Sequence, residues 1–143
     1  AQSLPVIEKN GQVYTFKIKP GIYFTDDPAF KGKRRELVAE DYVYAVKRIL
    51  DPKNHAPSFS FIDNKLLGAN ALVEQANKTG KFDYDAPIEG VKALDKYTIQ
   101  FTLTQPDYNF PYILAYSTFG ATAREVVEYY KDAPCWHRAL YAG

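Results

Sequence analysis

One stretch constrains the fold more than any other, the segment YTFKIKPGIYFTDD from Tyr14 to Asp27. Its first half alternates apolar and polar side chains, in the order Tyr14, Thr15, Phe16, Lys17, Ile18 and Lys19. Because successive side chains of a strand point to opposite faces, the alternation predicts a half-buried β-strand. Pro20 and Gly21 end that strand. None of these side chains performs chemistry, so the segment predicts scaffold.

The segment VAEDYVYAVKRILDP, residues 38–52, gives the strongest helix prediction. Its apolar residues recur at helical spacing and form one stripe, made of Ala39, Tyr42, Val43, Val46, Ile49 and Leu50. Acidic residues in the first turn and basic residues near the end suit the helix dipole. Pro52 stops the helix, because a proline disfavours the helical conformation of the residue before it.

The remaining segments predict an α+β fold. A second helix is predicted over residues 65–80 and closed by Gly80, after a loop over residues 53–64. Residues 88–106 predict a hairpin that bends at Asp95–Lys96, because apolar and polar residues alternate after the bend. Residues 107–120 form a short aromatic helix or a turn, and residues 123–131 a last helix. This order predicts an antiparallel sheet with packed helices.

Composition excludes several classes of function. The chain has 143 residues, enough for one domain, and its net charge of +1 argues against nucleic acid and anionic membranes as partners. The single cysteine, Cys135, excludes an internal disulfide and a cysteine metal cluster. No apolar run approaches the roughly 20 residues that cross a membrane. Twelve tyrosines and nine phenylalanines predict an aromatic core.

Candidate catalytic and metal-binding groups are few. Cys135 and His137 form a C-x-H pair with the residue types of a thiolate–imidazole dyad, without a nucleophile-elbow or nucleotide-binding motif. Asp26–Asp27 and the D-x-D at residues 83–85 favour turn formation, because no calcium-loop spacing follows either. The basic cluster KGKRR, residues 31–35, predicts a solvated loop. We therefore expect no enzyme activity, no metal and no cofactor.

Four segments in linear order carry a family resemblance: YTFKIKPGIYFTDD, VAEDYVYAVKRILDP, IEGVKALDKYTIQFTLTQP and YNFPYILA. Together they resemble the extracellular solute-binding proteins, family 5, of oligopeptide and dipeptide ABC transporters, over Gln12 to Lys131. The resemblance implies that residues 1–134 form one subdomain of a periplasmic binding protein-like fold, the small subdomain of the first lobe. Because such receptors are much longer, we interpret the chain as a fragment of one.

The resemblance also implies a function. Such receptors are bacterial, work in the periplasm and close two lobes around a peptide, which they deliver to an ABC permease. We expect the signal peptide to lie outside this sequence, and the fragment alone to bind peptide weakly or not at all. Ser58 and Phe59, in the loop after the first helix, are the candidate residues for the rim of the ligand pocket. The competing interpretation is that Phe59 and Phe61 pack into the core.

The sequence departs from the family pattern in three places. Val38 stands where the family has a threonine N-cap, a loss of about 1 kcal/mol. Residues 26–37 replace a short D-G turn by an insertion. Residues 135–143, CWHRALYAG, do not resemble the family. We hypothesise that this tail is a frameshifted version of the family's Gly-Thr-Gly-Pro-Tyr continuation, which the coding DNA would contain in another frame.

Two alternatives to the receptor interpretation stay open. The chain could be a stand-alone interaction module that dimerises through an apolar face left exposed by the missing domains. It could also be a small hydrolase that uses Cys135 and His137.

Overall fold

The computed structural model describes residues 3–131, so the predicted non-family tail at 135–143, with Cys135 and His137, lies outside the described residues. Within that range, strands β1 (Val6–Glu8), β2 (Val13–Lys17), β3 (Val91–Asp95) and β4 (Thr98–Thr102) form one antiparallel sheet in the order β1-β2-β4-β3. The predicted antiparallel sheet and its hairpin are confirmed. The short edge strand β1 was not predicted, because three residues are too few for a pattern of alternation.

Strands β2 and β4 pair so that their apolar faces coincide. Tyr14 lies opposite Phe101, and Phe16 lies opposite Ile99. Tyr14, Ile99 and Phe101 are buried, whereas Lys17 is exposed. The apolar face of the sheet is therefore the face that the helices cover, as the alternation predicts.

The bend between β3 and β4 is held by Asp95. Its carboxylate accepts hydrogen bonds from the Tyr97 N–H and the Thr98 hydroxyl, both at 2.8 Å. These bonds lower the pKa of the Asp95 carboxyl. The bend lies where the sequence predicts it, and the pairing of the two strands shifts register between Ala93 and Asp95 to accommodate it.

Five α-helices accompany the sheet in the described part of the chain: α1 (Ala39–Leu50), α2 (Phe59–Ile62), α3 (Ala69–Thr79), α4 (Phe110–Leu114) and α5 (Arg124–Tyr130). Short 3₁₀ turns span Pro28–Phe30, Pro52–Asn54 and Ser117–Phe119. The helices predicted over residues 38–52, 65–80 and 123–131 are confirmed with shorter bounds. The prediction of a loop over all of residues 53–64 is wrong, because α2 lies inside it.

Helix α1 begins without the side-chain cap that the family pattern would supply. Val38 occupies the N-cap position in an extended conformation, and its own N–H donates to the Asp41 carboxylate at 2.8 Å. This bond is the N3 half of a capping box, so one of the two capping interactions survives without a threonine. The C-terminal end follows the sequence prediction, since Asp51 leaves the helix directly before Pro52.

Aromatic rings fill the space between the sheet and α4. The Phe110 ring lies 5.7 Å from the Tyr14 ring and 5.3 Å from the Phe101 ring, measured between centroids. Such tilted ring pairs stabilise a core beyond their buried area. The predicted aromatic core is confirmed for these residues, but several tyrosines are exposed instead: Tyr108, Tyr112, Tyr116 and Tyr129.

Candidate functional site

The loop after α1, which holds the predicted rim residues, is anchored at its start. The Asp51 carboxylate accepts hydrogen bonds from the Lys53 N–H at 3.0 Å and from the Tyr84 hydroxyl. Burial and the bond to Asp51 raise the pKa of the Tyr84 hydroxyl. The Asn54 side-chain amide donates to the Arg48 carbonyl at 2.8 Å. These contacts hold the loop where it leaves α1, and α2 begins a few residues later.

The two predicted rim residues do not share one environment. Ser58 is only 5% exposed, and Phe59 is half-buried and packs against the core. The competing interpretation holds for Phe59, which contacts the core, but not for Phe61, which is 41% exposed. Contact with a ligand stays a prediction for Ser58 and Phe59.

Phe61 instead stacks on a second exposed ring, and we call this pair, Phe61 and Tyr116, the aromatic patch. The rings of Phe61 and Tyr116 stack almost in parallel, with centroids 5.3 Å apart and planes 9° apart. No spacing in the sequence indicates this contact, because Phe61 and Tyr116 lie 55 positions apart.

Charged residues join α5 to the rest of the fold. Arg35 donates to the carboxylates of Asp41 and Glu125, at 2.6 and 2.7 Å. Burial raises the pKa of the Asp41 carboxyl, and the Arg35 guanidinium opposes that rise. Arg124 donates to Asp85 and to Glu128, both at 2.7 Å. These bonds raise the pKa of Arg124.

The arginine pairs border a concave region of about 270 Å³ that Lys47 also lines. Lys47 is buried on α1, and its ammonium donates to the Tyr84 carbonyl at 2.9 Å. Burial lowers the pKa of this ammonium group. The guanidinium groups of Arg35 and Arg124 are both paired with carboxylates of this chain. These pairs link neighbouring elements of the fold and leave neither guanidinium as an unpaired charge for a ligand.

The aspartate motifs act in turns. Asp27 caps a 3₁₀ turn by accepting from the Ala29 N–H at 2.9 Å, and Asp83 accepts from the Asp85 N–H at 3.0 Å. Among residues 3–131, no group of three or more His, Cys, Asp or Glu side chains is placed to hold a metal ion. The predicted solvated loop is confirmed for residues 31–34 of the basic cluster, which are exposed, but not for Arg35, which turns inward to Asp41.

No helix in the described range has both the length and the apolar character that crossing a membrane requires.

Comparison with known proteins places this geometry in context. The sequence matches the family model of the bacterial extracellular solute-binding proteins, family 5, middle region, over residues 1–137. It is 33% identical over 114 residues to the oligopeptide-binding protein AmiA of Streptococcus pneumoniae, covering 79% of this chain and 16% of AmiA. It is 29% identical over 123 residues to the probable deoxycholate-binding periplasmic protein YgiS of Escherichia coli, covering 86% of this chain and 21% of YgiS.

The fold is similar to that of solved structures from the same group. The structure of Listeria monocytogenes OppA bound to peptide superposes with a TM-score of 0.68 at 26% sequence identity, covering 91% of this chain and 23% of that one. The chain spans 16% and 21% of the two curated relatives. What is similar is therefore a segment of about a fifth of each longer protein.

Proposed function

Because this chain belongs to family 5 of the bacterial extracellular solute-binding proteins, we propose that it is the small subdomain of the first lobe of a peptide receptor. The receptor works in the periplasm and delivers its ligand to an ABC permease. The match over residues 1–137 is the observation that carries this proposal. The structural similarity to a peptide-bound OppA supports peptide as the ligand class. The similarity to YgiS, whose name describes a probable deoxycholate-binding protein, supports another solute as the alternative.

The side chains support a scaffolding role within such a receptor. A peptide presents a charged amine and a charged carboxylate, and both need partners when they leave water. The guanidinium groups of Arg35 and Arg124 are already engaged with carboxylates of this chain. We infer that residues that hold the peptide termini belong to other parts of the receptor, and that this chain neither catalyses a reaction nor binds peptide strongly.

A titration of the isolated chain tests this inference. We expect isothermal calorimetry with short peptides to give no saturable heat, while Listeria OppA under the same conditions gives it. A micromolar dissociation constant for this chain, about −8 kcal/mol of binding free energy, would contradict the scaffolding role.

A chimaera tests whether this segment can replace the matching segment of a peptide-binding relative. Residues 3–131 replace the matching segment of Listeria OppA, and circular dichroism first establishes that the chimaera folds. We expect the dissociation constant of the chimaera for peptide to lie within about tenfold of that of the parent, because in this proposal the segment supports the fold and does not hold the peptide. A folded chimaera that has lost all peptide binding would contradict the proposal.

The same chimaera tests Ser58 and Phe59 as rim residues. Phe59 packs against the core, so the conservative Phe59→Leu keeps most of its packing while removing the ring. If the ring lines the rim, the variant weakens peptide binding at unchanged stability. Ser58→Ala is the companion change, and peptide affinity equal to the parent in both variants would remove the rim assignment.

Self-association is the second candidate function, and the aromatic patch favours it. Phe61 and Tyr116 are 41% and 56% exposed, and their rings stack on one another. Exposed apolar patches of this kind mark interaction surfaces. Sedimentation analysis across protein concentrations tests this candidate, and a monomer at every concentration would count against it.

A further inference from the structure

The loop that precedes α1 is anchored to the fold at its base and at its tip. At the base, the Phe24 N–H donates to the Arg35 carbonyl at 2.9 Å. Near the tip, Phe30 is 7% exposed, its ring lies 6.1 Å from the Phe24 ring, and its carbonyl accepts from the Lys33 N–H at 3.0 Å. We call residues 26–34 the basic loop. These contacts give its exposed side chains a defined arrangement.

Three cations of the basic loop have no carboxylate partner in the described part of the chain. Lys31, Lys33 and Arg34 are all exposed, and the ion pairs within that part are made by other cations. The nearest carboxylate that follows them, Glu36, accepts instead from the Lys96 ammonium at 2.7 Å. The basic loop therefore presents charge that the fold itself does not use.

Arg34 is positioned by an aromatic ring. Its guanidinium carbon lies over the Tyr23 ring, 4.1 Å from the ring centroid. A ring contact of this kind engages the face of the planar guanidinium, whereas the N–H donors lie in its plane. Those donors stay available for two parallel hydrogen bonds to one carboxylate.

The basic loop borders a concave region of about 380 Å³ that carries both signs of charge. Lys33 and Arg34 line it together with Asp26 and Asp27. The Asp27 carboxylate is engaged within the chain, since it accepts from the Tyr130 hydroxyl at 3.2 Å. Asp26 is exposed. A partner of the basic loop therefore meets several cations and one neighbouring carboxylate.

This mixture of charge selects the class of partner. A uniformly anionic surface, such as a lipid headgroup layer or a nucleic-acid backbone, would bring negative charge against Asp26 as well as against the cations. Residues 31–34 also offer no apolar side chain to enter a lipid layer. A polypeptide places carboxylates opposite Lys33 and Arg34, and its backbone supplies N–H donors for Asp26.

We propose that the basic loop binds an acidic segment of a partner protein, whose carboxylates pair with Lys31, Lys33 and Arg34. The forked bond to Arg34 orients the segment, because the ring beneath the guanidinium already fixes its place. This surface goes beyond the peptide-receptor proposal and does not depend on it, since it uses neither Ser58 nor Phe59.

A capped hexaglutamate peptide is the probe for a first test on the full chain. Amide proton–nitrogen spectra are recorded during the titration at low salt, with a capped hexaglutamine peptide as the control. We expect hexaglutamate alone to give saturable shifts at residues 31–34, and these shifts to weaken as salt is added, because salt screens exposed charges. No saturable shift with hexaglutamate, or equal shifts with hexaglutamine, would overturn the proposal.

Two triple variants that lower the net charge equally locate the site. The first removes the cations of the basic loop: Lys31→Gln, Lys33→Gln and Arg34→Gln. The second removes exposed lysines elsewhere: Lys53→Gln, Lys78→Gln and Lys81→Gln. The first should weaken hexaglutamate binding at least about fivefold and the second less than about twofold, because exposed ion pairs act over short distances. Equal losses would assign the binding to net charge and overturn the proposal.

Two further measurements test the role of Arg34 and the class of partner. Arg34→Lys keeps the charge but loses the planar fork, so hexaglutamate should bind about threefold more weakly, and unchanged affinity would contradict the orienting role of Arg34. Vesicles of phosphatidylglycerol and phosphatidylcholine in equal amounts test the lipid alternative, and we expect the chain not to sediment with them at physiological salt. Sedimentation that the first triple variant abolishes would assign the basic loop to lipid and overturn the proposal.

Discussion

Arg35 and Asp41 form a two-pronged ion pair in which both guanidinium nitrogens Nη1 and Nη2 donate to the carboxylate, at 3.1 and 2.6 Å. The Asp41 side chain is 4% exposed and the Arg35 side chain 24%. The same carboxylate accepts the Val38 N–H at the start of α1. One arginine from the loop before α1 therefore holds the buried acid that starts the helix.

Removing this arginine should destabilise the fold. Arg35→Ala leaves the Asp41 carboxylate buried without its cation, and we expect the free energy of unfolding to fall by about 2–3 kcal/mol. Arg34→Ala is the matched control, because Arg34 contacts only the face of the Tyr23 ring among the interactions described, at 4.1 Å. Its cost should stay below about 1 kcal/mol. Urea denaturation measures both, and equal losses would contradict the assignment.

Acid should weaken the fold through Glu36. Hydrogen bonds from Lys96, from the Gly21 N–H and from the Tyr97 hydroxyl lower the pKa of the Glu36 carboxyl from 4.5 to about 2. Because the folded pKa lies below the unfolded one, the stabilisation is complete above pH 4.5 and is lost as the pH falls toward 2.

Melting curves of Glu36→Gln against wild type measure that contribution. The difference in melting temperature should be largest at neutral pH, should shrink as the pH falls below 4.5 and should be small near pH 2, where the Glu36 carboxyl of the folded protein is about half protonated. Glu74→Gln, at an exposed position on α3, is the control and should show no such trend. A difference between Glu36→Gln and wild type that is constant from neutral pH to pH 2 would rule out the titration of Glu36 as its cause.

Gly90 should not tolerate a side chain. A Cβ at this position would lie 2.5 Å from the Leu67 nitrogen and 2.8 Å from the Leu66 carbonyl carbon, which are backbone atoms. Gly90→Ala must push the two segments apart, and we expect a loss of about 3 kcal/mol. Gly21→Ala meets nothing within 4 Å and strains only a positive φ, so it should cost about 1 kcal/mol. Thermal denaturation would contradict the close approach if the two variants were equally stable.

The aromatic patch should control any self-association. Tyr116→Ser removes one of the two stacked rings, and the sedimentation coefficient should then lose its dependence on concentration. Tyr129→Ser is the matched control, because Tyr129 is as exposed as Tyr116 but lies on α5. Association that persists in Tyr116→Ser, or disappears in the control, would assign it to another surface.

Strong periodicity made much of the fold predictable. The apolar stripe of α1 and the alternation of β2 and β4 each extend over several residues, so tertiary packing has only one face of each to bury. The short elements β1 and α2 carry no such repeat and were missed. Helix α3 starts at Ala69 rather than at the predicted residue 65, because helix termini depend on local contacts that a pattern does not encode, whereas its predicted closure by Gly80 is confirmed.

The candidate site was less predictable, and Ser58 and Phe61 illustrate the reason. Both lie in one short segment of similar composition, yet Ser58 is buried and Phe61 is exposed against Tyr116, 55 positions later in the sequence. Which side of that segment faces the core depends on where α4 packs. Spacing within the segment holds no information about that packing.

The sequence by itself determined the order of the elements, the apolar faces of β2, β4 and α1, and membership of the family, because these rest on local patterns along the chain. Only the tertiary structure decided which residue of the basic cluster turned inward. Arg35 is half-buried and paired with Asp41 and Glu125 because α1 and α5 bring the two carboxylates together, although Glu125 lies 90 positions from Arg35 in the sequence. A charged side chain takes its environment from partners in space, and those partners are set by the packing of distant elements.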